Sequence, residues 1–400
     1  MSARPIDEPH RASSQLELLF DLTFVVAIAA ATAQLAHAIA DGHALAGLVP
    51  FLQVFFAIWW AWMNFTWFAS AYDTDDVPYR LLTMVQMAGV LVLAAGVPAA
   101  ASGSDYRVVT LGYLVMRLGL VAQWLRAAVE HREGRRTALR YAAGIIVVQV
   151  GWGLRLLVWE TGALSPSAGT AFFAALVVAE LAVPRWAERT GSTGWHPHHI
   201  AERYGLFTII LLGESVLAAT RGVEGALEAA EIGSLVTVAL SGLVLLFALW
   251  WLYFLTPAGE GLSDRRHRSF LWGYGHYGVF AALAALGAGL EVAVEQTGHG
   301  ARASALAICY AVAIPVGVFL TLLWMVHAPI VAEPVVRPAL VLGCVAVVLL
   351  LPLAAPSIGV AAVVAAIAAA CVLLTALAIA LTPGRASAPD RAAPDQAAPR

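Results

Sequence analysis

The 400-residue chain is 60% hydrophobic and 12% charged, with a net charge of -3 and a mean hydropathy of +0.79. Soluble domains carry charge on about a quarter of their residues, so this composition excludes an ordinary soluble enzyme and predicts an all-α, polytopic helical membrane protein. All 23 basic residues are arginine, set against 26 acidic ones, which leaves no basic surface for nucleic acid.

Breaks at charged and Gly/Pro-rich segments predict twelve spans, at 16–40, 45–70, 79–100, 106–128, 138–160, 167–187, 200–220, 231–255, 268–294, 303–326, 336–354 and 357–381. Residues 1–15 form a cytoplasmic N-terminal segment. Their weak basic region, Arg4 and Arg11, and the acidic Glu17 and Asp21 in the following run argue for an uncleaved first helix. A linker at 188–199 separates a first six-helix half, 16–187, from a second, 200–382. The last two spans are divided only by Pro352 and Pro356, so they form either two passes or an interrupted, re-entrant hairpin. The Pro/Ala-rich tail, 383–400, is expected to be disordered.

Arginine placement orients these spans. With the N-terminus inside, eighteen arginines fall in inner segments, including Arg126, Arg132, Arg135, Arg136 and Arg140, and three in outer loops, Arg107, Arg221 and Arg302. Cytoplasmic loops hold the basic excess, so both termini are expected in the cytoplasm and the protein in a bacterial inner membrane.

The run Phe56-Ala57-Ile58-Trp59-Trp60 returns as Phe247-Ala248-Leu249-Trp250-Trp251, and Glu17 and Thr23 return as Glu202 and Thr208. These anchors predict two parallel six-helix repeats, with the two tryptophan pairs in equivalent positions.

A charged side chain at the bilayer centre costs roughly 3 kcal/mol, so each needs a partner, a wet cavity or a function. Glu17 and Asp21 share one helix face at a spacing of four, and Glu214 lies about 18 Å beyond Glu202. Arg117 is central in the fourth span, while Arg155 and Glu180 lie nearer span ends and are expected to snorkel. Tyr106, Thr110, Tyr113, Arg117 and Trp124 form one helical stripe, and Gln53, Trp60, Asn64 and Trp67 form another. Both should turn inward. They predict a polar cavity in which Arg117 faces Asp21 or Glu214; a buried ion pair that merely holds helices together is the plainer alternative.

Other patterns carry less. Gly273-x-Gly275-x-x-Gly278 has the letters of a dinucleotide fingerprint but follows no strand, so close helix packing is the better reading. His196, His198, His199 and Glu202 read as an exposed cap more readily than as a zinc site, and His276 as a hydrogen-bonded span residue. Cys309, Cys344 and Cys371 are isolated in apolar runs and predict no disulfide framework. No hydrolase elbow, His-Glu-x-x-His or phosphate loop occurs, so neither catalysis, metal nor cofactor is expected.

Three separated segments resemble the bacterial low-temperature-requirement A (LtrA) family. They are Glu17-Leu18-Leu19-Phe20-Asp21-Leu22-Thr23-Phe24-Val25; Trp59-Trp60-Ala61-Trp62 with Asn64, then Asp73-Thr74-Asp75-Asp76 and Arg80; and His199-Ile200-Ala201-Glu202-Arg203-Tyr204-Gly205-Leu206-Phe207-Thr208 through Gly213-Glu214-Ser215. The similarity runs from about residue 13 to 380, with Tyr204 where the family usually has Phe. The resemblance implies a multi-pass bacterial membrane protein without an agreed biochemical activity. It sets Glu17, Asp21, Asn64, Asp73, Asp75, Arg80, His199, Glu202, Arg203 and Glu214 at motif positions and leaves Arg117 outside them.

The expected function is a proton- or cation-coupled secondary transporter or permease for an unknown small solute or ion, with Glu214 or Asp21 as the ion site and Arg117 as countercharge. The alternative is a non-transporting membrane factor for envelope or lipid homeostasis during growth in the cold. The acidic loop Asp73-Thr74-Asp75-Asp76 lacks the basic, Gly-rich signature of the major facilitator plan, which the six-plus-six arrangement otherwise resembles.

Overall fold

The computed structural model describes Arg4 and residues 11–226, 232–298, 301–331 and 335–381. The expected disordered tail lies outside the described residues. In chain order the α-helices are α1 (Gln15–Ala40), α2 (Ala44–Tyr72), α3 (Val77–Gly103), α4 (Arg107–Glu130), α5 (Arg135–Glu160), α6 (Pro166–Ala187), α7 (Pro197–Ala226), α8 (Ile232–Phe254), the short α9 (Ala258–Asp264), α10 (Ser269–Glu295), α11 (Ala305–His327), α12 (Pro338–Leu350) and α13 (Ala355–Ala380). No strand occurs among the described residues. In lipid every backbone amide must be satisfied within its own segment, which is why apolar runs of this length become helices.

Local chemistry sets where the helices begin. Ser14 accepts from the Glu17 amide and the Glu17 carboxylate accepts from the Ser14 amide, a reciprocal cap that starts α1. Asp76, Ser165 and Ser304 cap α3, α6 and α11 through side-chain oxygens, the first two followed by a proline in the first turn. Gly42, with φ of 81°, makes the tight turn between α1 and α2 that a Cβ would strain.

Among the described residues, eleven helical stretches are long and apolar enough to cross a bilayer, the last being the 43-residue run Pro338–Ala380. That run contains both final predicted spans. At 13 residues α12 rises about 20 Å, short of a hydrocarbon core of about 30 Å. A 3₁₀ turn at Leu351–Ala354 and Gly359, at φ 81°, reverse the chain, and Cys344 Sγ meets Ala370 O at 3.6 Å across the resulting hairpin.

Contacts between helix ends assign them to two faces. On one face Arg126 of α4 pairs with Asp76 before α3, Thr137 of α5 reaches Gly191 O after α6, Arg266 before α10 reaches Trp195 O before α7, and Arg265 reaches Ile330 O after α11. On the opposite face Arg302 binds Ala40 O at the end of α1, and Arg107 approaches Glu160. The arginine-dense loops therefore share one face, as their alternation along the chain predicts.

The packing order α1–α3–α4 recurs as α7–α10–α11, and both crossings are lined by glycine. A Cβ on Gly112 would lie 2.3 Å from Leu93 N in α3, and one on Gly289 2.2 Å from Ala311 O in α11. Gly275 and Gly278 likewise admit Val326 and Leu322, which is helix packing and not nucleotide binding. The tryptophan anchors do not follow this echo. Trp59 and Trp60 are buried, whereas Trp250 and Trp251 are half exposed on the outside of α8. The two pairs thus occupy unlike surroundings, because α2 runs inside the bundle while this side of α8 lies on its surface.

Candidate functional site

Four charged side chains converge where α1 meets α7. Arg203 binds Asp21 through Nε and Nη2 at 2.9 and 2.6 Å, and its Nη1 lies 2.9 Å from Glu17 Oε1. Trp62 Nε1 donates to Asp21 at 2.6 Å, and His199 Nε2 lies 3.0 Å from Glu17. Arg11 approaches Glu17 at 3.8 Å and donates to Ala69 O and Ser70 O, closing the carbonyl end of α2. Two carboxylates against two guanidinium groups make the cluster neutral, and every member is buried.

A second network centres on Glu180 of α6, which is 0% exposed. Its carboxylate accepts from Trp60 Nε1 at 2.8 Å, Tyr113 OH at 2.7 Å, Arg117 Nη2 at 2.6 Å, Gln149 Nε2 at 3.0 Å and Trp152 Nε1 at 3.2 Å. Five donors, one of them a guanidinium, converge on one carboxyl group in the bundle interior. The expected facing of Arg117 with Asp21 or Glu214 is therefore corrected. α4 packs against α2, α3 and α5, so the acid in reach of Arg117 comes from α6, and Asp21 is already taken by Arg203. The expectation that Glu180 snorkels fails for a related reason. It stands eight residues before Glu188, about 12 Å from the end of α6, farther than a glutamate side chain reaches.

Two clefts flank this network. Toward the arginine-rich face, an opening of about 530 Å³ is lined by Asn64, Trp67, Tyr141, Glu188, Thr193, Trp195, Ser269 and Tyr274, among others. Toward the opposite face, one of about 420 Å³ is lined by Gln53, Phe56, Tyr106, Thr110, Tyr113, Trp152, Arg155 and Phe173, among others. Tyr113 and Trp152 belong both to the second cleft and to the Glu180 shell. Trp60 touches Tyr274 of the first cleft at 5.5 Å, and Asn64 donates to Trp60 O. The polar stripes of α2 and α4 thus turn inward as their spacing predicts, with Tyr106 OH donating to Gln53 at 2.7 Å.

In the middle of α7, Glu214 receives Arg221 Nη2 at 2.8 Å, and Arg221 Nη1 lies 3.6 Å from Glu291 of α10. Arg221, expected in an outer loop, is instead a residue of α7. Two acidic side chains share one guanidinium, so this cluster holds one more acid than base.

The remaining motif residues lie at the arginine-rich face. Asp75, at φ 47°, forms a bidentate pair with Arg80, and both are exposed. Asp76 is held down to about 2 by hydrogen bonds from Arg126. Asp73 is pushed up to about 6, chiefly by burial and also by Glu17, against the pull of Arg11 and Arg4. Glu202 accepts from the Ser13 amide at 3.3 Å. His196 and His198 rings lie 6.0 Å apart, and no group of three metal-binding side chains forms among the described residues. His276 is hydrogen-bonded by Tyr253 OH and Trp272 O.

Sequence reasoning missed Glu291 and the role of Glu180. The signal for Glu180 was present: the inward stripe on α4 carried an arginine, Arg117, whose acid had to come from a neighbouring span.

The family model described as "Bacterial low temperature requirement A protein (LtrA)" matches residues 12–379. An uncharacterized protein, RA0937, of Rhizobium meliloti (strain 1021) is 27% identical over 287 residues, which cover 67% of this chain and 66% of that protein, just under two thirds of its length. No solved structure matches. A family match across nearly the whole chain means that the protein belongs to the bacterial low-temperature-requirement A family, as a multi-pass membrane protein.

Proposed function

We propose that this member of the low-temperature-requirement A family is a secondary permease of the bacterial inner membrane, with both termini cytoplasmic and a solute path through its first six helices. The observation that carries the reading is the pair of clefts at opposite ends of one buried network, Glu180 with Arg117, Trp60 and Tyr113. A purely structural ion pair needs no cavity on either side. Here the donors that bind Glu180 also line or touch the clefts, so the network acts as the closed centre of a path. Glu214 and Glu291, two acids around the single Arg221, supply a place where a proton or cation is held against the unmatched acid and couples its gradient to transport. The chain has no catalytic part in this reading.

The alternative, a non-transporting factor for the envelope or lipids, draws on the neutral Glu17–Asp21–Arg203–Arg11 cluster, which serves as a pin between α1 and α7. Purified protein in vesicles separates the two. A permease gives proton or ion flux on an imposed pH gradient or membrane potential, read by an internal pH dye, and loses it in the Arg117→Met/Glu180→Leu double variant. Flux no greater than in empty vesicles, from protein shown to be folded, rejects the permease.

A further inference from the structure

We propose that the cleft on the opposite face, between α2, α4, α5 and α6, binds an organic anion, a carboxylate on a flat apolar body, with Arg155 as its cation. This names the substrate class of the permease reading and rests on it, although binding is measurable without transport.

Arg155 is 5% exposed and lines the cleft. A guanidinium offers five N–H donors. Among the described residues, the hydrogen-bond acceptor for Arg155 is Gly169 O, 3.4 Å from Nε, and no carboxylate lies within ion-pair distance. The other two arginines buried inside spans differ: Arg117 and Arg203 each rest on a carboxylate at 2.6 Å. Aromatic rings surround the Arg155 guanidinium, with centroids 5.5 Å away for Tyr106, 5.4 Å for Phe173 and 6.0 Å for Trp152 and Trp159. Ring faces attract the cation but leave its in-plane donors unused, and those donors match the two oxygens of a carboxylate.

The surrounding charges favour an anion. Glu180 is enclosed by its five donors behind Tyr113 and Trp152, and Glu160, 43% exposed at its side chain, faces Arg107. The rings of Phe56, Trp152 and Phe173 give the walls an apolar character that a bare inorganic ion would not use, while Gln53 and Thr110 add polar groups to the lining.

Calorimetric titration of the purified full chain with benzoate and with benzamide, its neutral isostere, tests the site. Benzoate is expected to bind saturably and benzamide about tenfold more weakly or worse, with a comparable loss of benzoate affinity in Arg155→Gln. No benzoate binding, equal binding of the two probes, or unchanged affinity in Arg155→Gln overturns the proposal. Where Arg155→Gln fails to fold, the comparison of probes on the wild-type chain decides alone. Benzoate binding without flux in vesicles keeps the site and rejects the permease, and flux that ignores both benzoate and Arg155 rejects the site and keeps the permease.

Discussion

Arg203 meets Asp21 side-on, Nε to Oδ2 and Nη2 to Oδ1, across 182 residues of chain. This fork joins the first family motif to the third. Trp62, from the second motif, donates to the same Asp21 oxygen as Nη2, so all three motifs share one carboxylate. Their separation in sequence and meeting in space argue that the motifs record a structural junction between α1, α2 and α7.

Removing the charge of Asp21 leaves Arg203 buried with only Glu17. Asp21→Asn is expected to destabilise the protein by about 3–5 kcal/mol. Arg203→Lys, which keeps the charge but loses the fork, should cost less. Asp21→Leu/Arg203→Met should recover most of the loss, since no charge is then stranded. Melting in detergent checks the order, and an unchanged melting temperature in Asp21→Asn would remove the junction from the account.

Glu180 is the more demanding position because five donors depend on it. Glu180→Gln brings an amide N–H₂ against donors and strands Arg117, with an expected loss of about 3–5 kcal/mol. The Arg117→Met/Glu180→Leu pair removes the stranded charge but leaves Trp60, Tyr113, Gln149 and Trp152 without their acceptor, so it should regain only part of the stability and none of the flux. If flux returned with stability, the network would be scaffold and not the centre of a path.

The sequence made the helices, the arginine-rich face and the inward stripes of α2 and α4 legible, because hydrophobic period and charge asymmetry are local signals. Partner choice was not legible. Arg117 had Asp21 and Glu214 as its expected acids, with Glu180 read as lying nearer a span end, and only the packing of α4 and α6 around α5 selects Glu180. The surroundings of the tryptophan pairs were not legible either: Trp60 and Trp251 share neighbours in sequence but not in space, one on a carboxylate and the other half exposed.

The sharing of one face by the α4–α5 loop and the start of α1 predicts sidedness. Reporter fusions after Arg132 or Arg136 should report the cytoplasm. A periplasmic signal there would invert the assignment of both clefts.

Asp73, at the end of α2, is raised from its usual value near 4 to about 6, mostly by burial. A carboxyl that holds its proton more tightly when folded contributes stability that is full below about pH 4 and is lost as the pH rises through about 6. Asp73 should therefore lower stability by about 1–2 kcal/mol between those limits, a figure reduced for its partial contact with solvent. Asp73→Asn should flatten that part of the pH–melting profile and raise the melting temperature at pH 8. A wild-type profile that rises from pH 4 to 6 would contradict this.

Glu214 separates coupling from scaffolding most cleanly. Its partner Arg221 is 34% exposed at the side chain and keeps Glu291 at 3.6 Å, so Glu214→Gln strands no buried cation. The expected cost is about 1 kcal/mol or less, in the range of a partly solvated ion pair. That sets it apart from Asp21 and Glu180, whose arginines are fully enclosed. If Glu214 and Glu291 carry the coupling proton or cation, Glu214→Gln should melt close to wild type in detergent and lose gradient-driven flux in vesicles. Glu291→Gln should act in the same direction, because either change removes the acid that Arg221 leaves unmatched. Wild-type flux in a stable Glu214→Gln chain would take this cluster out of the mechanism and leave the ion path to the Glu180 network alone.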